Sequence, residues 1–298
     1  MKTTVKIVAV FSILLVNWDA KATMYSASET VADFGTFNQN SASVTVANPV
    51  NVGPQACVPT SVANGLEFLD NTYNVPGLMQ AGYGTVNTLA MNMGTFNTGT
   101  NGGTYYWNYA GIWNPGEVVG LSKYLGPTGQ NVPSVSIFGG QYATVSGAGP
   151  NPPYVTSFNQ IQNANPTPLF LYNALLADDA VEFAIYFGTL AQVQANTFTG
   201  AHSLTLTGIT YDTTTESGTL SFMDPNGGIP FTGLNFTITT NGYMFVTGYN
   251  DTEPDNPDAY TSGAILTDLV EAVPEPTTLA LMTMGAIGIG MRRFRRAI

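Results

Sequence analysis

Cysteine, histidine and basic side chains are scarce in this chain of 298 residues. It has one cysteine, Cys57, and one histidine, His202. A single cysteine excludes an internal disulfide, and the two counts together exclude a metal site built from several cysteine and histidine ligands. The chain also lacks internal repeats and any regular Thr-x-Thr pattern along stacked strands, so it gives little support to an ice-binding function.

Basic residues are confined almost entirely to the two ends. Between residues 22 and 277 the chain has 18 acidic residues and one lysine, Lys123, which gives a net charge near −17. Phosphate groups of nucleic acids are bound mainly by lysine and arginine, so this charge excludes nucleic-acid and nucleotide partners. Neutral polar residues take the place of charge, as is typical of extracellular proteins. The sequence indicates no cofactor.

The first 22 residues have the pattern of an export signal. Lys2 and Lys6 precede an apolar run over 7–16, and Ala20-Lys21-Ala22 supplies an A-x-A cleavage pattern. The apolar run is too short to cross a membrane comfortably. We therefore predict a signal peptide over 1–22 and exclude it from the fold.

The other end has three parts in a fixed order. Pro274-Glu275-Pro276 is followed by an apolar stretch over 277–291 and by four arginines between 292 and 296. Arginines beside an apolar stretch favour the cytoplasmic side of an inner membrane. This order resembles the PEP-CTERM sorting signal of Gram-negative bacteria. The resemblance implies a separate C-terminal apolar helix within 273–298 that anchors the protein transiently in the inner membrane. It also implies an exosortase-type peptidase as partner, cleavage near Pro-Glu-Pro, and delivery to the cell surface or an exopolysaccharide matrix.

The segment between the two ends changes its hydrophobic period halfway along. A strand is predicted over 41–46, and helices over 59–70, 86–93, 115–125 and 168–179. Strands are predicted over 181–187, 203–211, 218–223, 234–240 and 243–249, with a hairpin turn over 212–217. Helices followed by strands predict one α+β domain over 23–250 with an antiparallel sheet. An acidic, proline-broken stretch over 251–272 is predicted to be a linker.

Three residues of this domain have the types that a thiol hydrolase needs. Cys57 lies at a predicted helix start, where unpaired N–H groups and the helix dipole stabilise a thiolate. His202 begins a predicted strand, and Asp224 ends the next one. A hairpin can place its two open ends side by side, so the aspartate can reach the histidine. Nucleophile, base and orienting carboxylate are the groups that acyl transfer requires.

These motifs resemble a known family. The run from Cys57 to Ser61 reads Cys-Val-Pro-Thr-Ser, the His202 strand contains Gly208, and Asp224 is followed by proline. Together they resemble the C39-like branch of the papain-fold cysteine peptidases, over roughly residues 55–248. The resemblance implies a papain-like fold in which an N-terminal helix bearing the cysteine packs on a C-terminal antiparallel sheet.

The resemblance also assigns roles. Cys57 would be the nucleophile, His202 the general base and Asp224 the residue that orients the imidazole. Gln55 would serve the oxyanion hole together with the backbone N–H of Cys57, with Asn51 as the alternative helper. Val58 stands where the family usually has glycine.

Two functions from different classes follow. The first is an exported, papain-like cysteine peptidase, or related thiol amide hydrolase, that acts on a peptide or protein substrate. The second is a non-catalytic matrix or adhesion protein on a peptidase-like scaffold. The sorting tail and the neutral polar surface fit both, and the Cys, His and Asp set favours the first.

Overall fold

The computed structural model describes residues 23–45, 56–97, 102–103, 116–126, 132, 135–142, 161–162, 165–195, 200–249 and 258–269. The predicted signal peptide and sorting tail lie outside these residues. Within the described part, no helix is long and apolar enough to cross a membrane. The architecture is α+β with a mainly antiparallel sheet, as predicted.

Four of the five described α-helices form where the sequence predicts them, and a fifth, short helix was not predicted. Helix α1 spans Cys57–Tyr73, α2 Gly84–Met93, α3 Gly116–Leu125, α4 Pro168–Leu176 and α5 Leu190–Gln194. Helix α1 ends at Tyr73, because the next residue, Asn74, has a left-handed backbone (φ 52°) that terminates it. Helix α4 begins with a Thr167 side chain that accepts a hydrogen bond from the N–H of Phe170. The four predicted helices are confirmed, with small changes in their ends.

Eleven strands are present in the described residues. They are β1 Met24–Ser28, β2 Phe96–Asn97, β3 Gly102–Gly103, β4 Val135–Tyr142, β5 Ile161–Gln162, β6 Ala180–Phe187, β7 Gly200–Asp212, β8 Ser217–Asp224, β9 Ile229–Ile238, β10 Met244–Thr247 and β11 Asp258–Leu269. Strands β6 to β11 pair in chain order, each antiparallel to the next. Because β11 also pairs antiparallel with β6, these six strands close into a ring. β1 extends the sheet beside β7, and β4 extends it beside β11.

Two sequence predictions need correction. Residues 41–43 form turns rather than a strand, because the N–H of Val44 bonds back to the carbonyl of Ser41 and the Ser41 hydroxyl accepts from the N–H of Ser43. The stretch predicted as a linker contains β11, which pairs with three strands. Residues 258–269 therefore belong to the sheet, because β11 supplies the backbone partners that β6 and β10 need.

Apolar side chains form two cores on opposite faces of the sheet. One packs helices α1, α2 and α3 together around Leu66, Phe68, Leu89 and Leu121. The other holds one face of the ring strands and the buried side of α4. The directly paired residues Phe183 and Leu204 lie on the face of the second core. Side chains alternate between the two faces along a strand, so Ser203 and Thr205, the neighbours of Leu204, point to the opposite face, where α1 packs.

Candidate active site at the start of helix α1

Cys57 is the first residue of helix α1 and is partly exposed. The preceding residue, Ala56, has no side chain that could cap the helix, and Pro59 has no N–H. The first-turn N–H groups of Cys57 and Val58 are therefore without a side-chain cap, which places partial positive charge beside the sulfur. This local environment favours a negatively charged group at the helix start.

His202 and Asp224 meet at the open end of the β7–β8 hairpin. The Nε2 atom of His202 lies 2.9 Å from Oδ1 of Asp224, and both side chains are buried. The turn over 213–216 closes the other end of the hairpin, where Asp212 accepts a hydrogen bond from the N–H of Thr214. The prediction that the hairpin brings His202 and Asp224 together is confirmed.

The charge state of His202 depends on its partners. Burial lowers the pKa of His202, but hydrogen bonds to Asp224 and Cys57, and the charges of these two groups, raise it to about 10. An imidazolium cation flanked by a carboxylate and a sulfur is therefore the stable form at neutral pH. Because Nε2 bonds Asp224, Nδ1 is the nitrogen left for the sulfur of Cys57.

The carboxylate of Asp224 is fixed by further donors. Its Oδ1 also accepts the backbone N–H of Asn226 at 2.7 Å, and its Oδ2 accepts the hydroxyl of Tyr249 at 2.7 Å. The buried ring of Tyr249 lies nearly parallel to the imidazole of His202, at 14° and 6.3 Å between centroids. Sequence reasoning missed Tyr249, because a tyrosine at the end of a predicted apolar strand carries no signal of its partner.

Sequence reasoning also missed a buried pair of acidic residues near the site. Burial raises the pKa of Glu117 to about 7, and burial together with Glu117 and Cys57 raises that of Glu182 well above its usual value. Glu182 accepts a hydrogen bond from the hydroxyl of Ser203, the residue after His202. The available signal was a lone glutamate within an otherwise apolar strand, because a buried carboxyl group costs free energy unless it stays neutral or paired.

The predicted oxyanion helpers, Gln55 and Asn51, lie outside the described residues. In the described part of the chain, no group of three or more His, Cys, Asp and Glu side chains is placed to hold a metal ion. The structure thus brings together Cys57, His202 and Asp224 of the predicted set. A sulfur, an imidazole and a carboxylate in this order can form an ion pair and transfer protons at a reacting carbonyl group.

Comparison with known families identifies the C-terminal tail. The PEP-CTERM protein-sorting motif matches residues 272–296, as the order of its parts predicted. This motif implies export and cell-surface sorting in Gram-negative bacteria, with processing by an exosortase. No curated protein matches the chain.

Proposed function

We propose that the domain is a papain-like cysteine hydrolase of the C39-like kind, in which Cys57, His202 and Asp224 act as nucleophile, base and orienting carboxylate. The observation that carries this proposal is the bond between His202 and Asp224 beside the only thiol of the chain. The α+β architecture supports it, since the helix that begins with the cysteine packs on an antiparallel sheet.

The chemistry would proceed in two displacements. The thiolate of Cys57 attacks the carbonyl carbon of a peptide bond, and the N–H of Cys57 faces the negative charge that develops on oxygen. His202 gives its proton to the leaving amine, and a thioester remains on the sulfur. His202 then takes a proton from water, and the resulting hydroxide attacks the thioester. The carboxylic acid product leaves as the thiolate of Cys57 is released beside the protonated imidazole.

Location follows from the tail. We propose that the apolar stretch over 277–291 holds the chain in the inner membrane until an exosortase cuts near Pro274-Glu275-Pro276. The freed domain would then act at the cell surface or in an exopolysaccharide matrix, on a peptide or protein substrate. The scarcity of basic residues argues against nucleic acid as a partner there.

A non-catalytic matrix or adhesion protein is the second candidate. The deep burial of His202, which is only 6 % exposed, favours it, because a base must reach its substrate. In that function the imidazolium of His202 would only neutralise Asp224 inside the fold. The two candidates differ in the reactivity of Cys57.

The test is the rate at which an epoxide thiol inhibitor labels the full-length protein. Because Cys57 is the only cysteine, the label reports one site. For a hydrolase, we expect fast labelling that falls about 100-fold or more in His202→Gln, while Ser122→Ala, an exposed position on α3, labels like the parent. Slow labelling at equal rates in all three proteins would instead support the matrix-protein function.

A further inference from the structure

Tyr249 is joined to the candidate site by its hydroxyl group. Two residues after the end of β10, its side chain is fully buried, and its hydroxyl donates to Oδ2 of Asp224 at 2.7 Å. His202 bonds the other carboxylate oxygen, Oδ1. Tyr249 thus contacts the residue that orients the base and lies outside the set that the sequence predicts.

Three donors form hydrogen bonds to the two carboxylate oxygens of Asp224. His202 and the N–H of Asn226 use Oδ1, and Tyr249 uses Oδ2. Rotation of the carboxyl group would break a bond at each oxygen, so the hydroxyl of Tyr249 fixes the orientation of Asp224.

Packing holds the Tyr249 ring independently of its hydroxyl. The rings of Phe222 and Phe231 meet it edge to face, with centroids 5.4 and 5.5 Å away, and Phe187 lies stacked at 6.1 Å. Such aromatic contacts remain when the hydroxyl is removed. A phenylalanine at this position would therefore keep the core and lose only the donor.

We propose that Tyr249 is a positioning residue that acts through Asp224. Its hydroxyl holds the carboxylate in the orientation that keeps Nε2 of His202 protonated and leaves Nδ1 to the sulfur of Cys57. This inference rests on the proposed hydrolase function. The proposed function of Tyr249 does not include modification of its hydroxyl, such as phosphorylation, because the side chain is fully buried.

The experiment compares Tyr249→Phe with Tyr211→Phe in the full-length protein. Tyr211 lies on β7 and stacks on Phe236, so its substitution controls for the loss of a hydroxyl elsewhere in the same sheet. The first readout is the rate of Cys57 labelling as a function of pH. The second is the ring nitrogen spectrum of His202, which needs no assignment because the chain has one histidine.

We expect labelling of Tyr249→Phe at neutral pH to be about 10-fold slower, because one oxygen of a buried carboxylate loses its donor. The ring nitrogen signals should also move, while circular dichroism stays as in the parent. Tyr211→Phe should match the parent in both readouts. Unchanged His202 signals and an unchanged pH profile in a folded Tyr249→Phe protein would overturn the proposal.

A double-mutant cycle tests whether Tyr249 acts through Asp224. In an Asp224→Asn background, Tyr249→Phe should cause little further loss of labelling. A full additional 10-fold loss there would show that Tyr249 acts by another route and would overturn the proposal. If the parent labels no faster than His202→Gln, the hydrolase function fails, and the His202 spectrum still reports whether Tyr249 controls the imidazole.

Discussion

The hydroxyl of Ser61 on helix α1 donates a hydrogen bond to the backbone carbonyl of Ser203 on β7, with 2.7 Å between the two oxygens. A second bond runs in the opposite direction, from the hydroxyl of Thr205 to the carbonyl of Ser61, also at 2.7 Å. Ser61 lies one turn beyond Cys57, and Ser203 follows His202. The two bonds therefore tie the helix that begins with the thiol to the strand that carries the base.

Ser61→Ala should weaken both the fold and the site. The carbonyl of Ser203 would lose a buried hydrogen bond, which typically costs about 1–3 kcal/mol in the free energy of unfolding. The labelling rate of Cys57 should fall as well, because the helix start is held less firmly. Denaturant unfolding measures the first effect, with Ser122→Ala on the exposed face of α3 as the matched control. Equal stability of the two variants would contradict this function of Ser61.

Cys57→Ala should lower the pKa of His202. The sulfur supplies a hydrogen bond and a charge that help to raise that pKa to about 10, so burial should regain influence once they are gone. Nuclear magnetic resonance titration of the single histidine measures the change. A pKa that is the same in both proteins would mean that the sulfur and the imidazole do not interact.

The same pair makes stability depend on pH. The folded-state pKa of His202 lies above its unfolded value, so its stabilising contribution is complete below pH 6.5 and is lost as the pH rises through about 10. Cys57→Ala should flatten this decline. The midpoint of thermal unfolding, measured between pH 6 and 10, checks this prediction. The fall of the midpoint with pH in Cys57→Ala is compared with the fall in the parent protein.

Glu117→Gln should reduce a second dependence of stability on pH, one that lies at lower pH than that of His202. Unfolded glutamate titrates near pH 4.5, whereas burial raises the pKa of Glu117 to about 7 in the folded protein. The folded state thus keeps a proton that the unfolded state releases, and stability falls as the pH rises through this range. The fall should be about 3 kcal/mol.

Denaturant unfolding at pH 4.5 and 7.5 measures this second component. The control is Glu216→Gln in the exposed turn between β7 and β8. Its free energy of unfolding should fall between the two pH values by as much as that of the parent. If Glu117→Gln loses as much stability as the control between the two pH values, the buried carboxyl pair does not retain a proton.

Glu275→Ala should block maturation. It changes the middle residue of Pro274-Glu275-Pro276, within the matched sorting motif. We expect the chain to keep its precursor mass and to remain in the membrane fraction, as shown by mass spectrometry of fractionated cells. Glu271→Ala, which lies just before the motif, is the control and should be processed normally. Normal processing of both variants would contradict cleavage that depends on this motif.

Local patterns predicted most of the elements. Helix α1 follows from Val62, Leu66 and Leu69, whose spacing of four and three residues gives one apolar face, and all three are buried. The β7–β8 hairpin follows from two alternating strands around polar turn residues. Strand β11 was missed, because it follows an acidic, proline-broken stretch. Its pairing with β6 joins residues 72 to 87 positions apart, from Ala259 with Phe187 to Thr267 with Ala180, which no local pattern encodes.

The sequence alone determined which side chains are candidates for thiol chemistry and which sorting motif the chain carries. One thiol, one imidazole and a hairpin that ends in aspartate restrict the candidate nucleophile and base to Cys57 and His202, and the tail supplies a sorting motif. Only the tertiary structure decided the surroundings of these groups. The bond from Tyr249 to Asp224 and the burial of Glu182 beside Glu117 arise from contacts between distant segments. Such contacts depend on how the strand ring closes, and strand periodicity gives the face of a side chain without naming its partner.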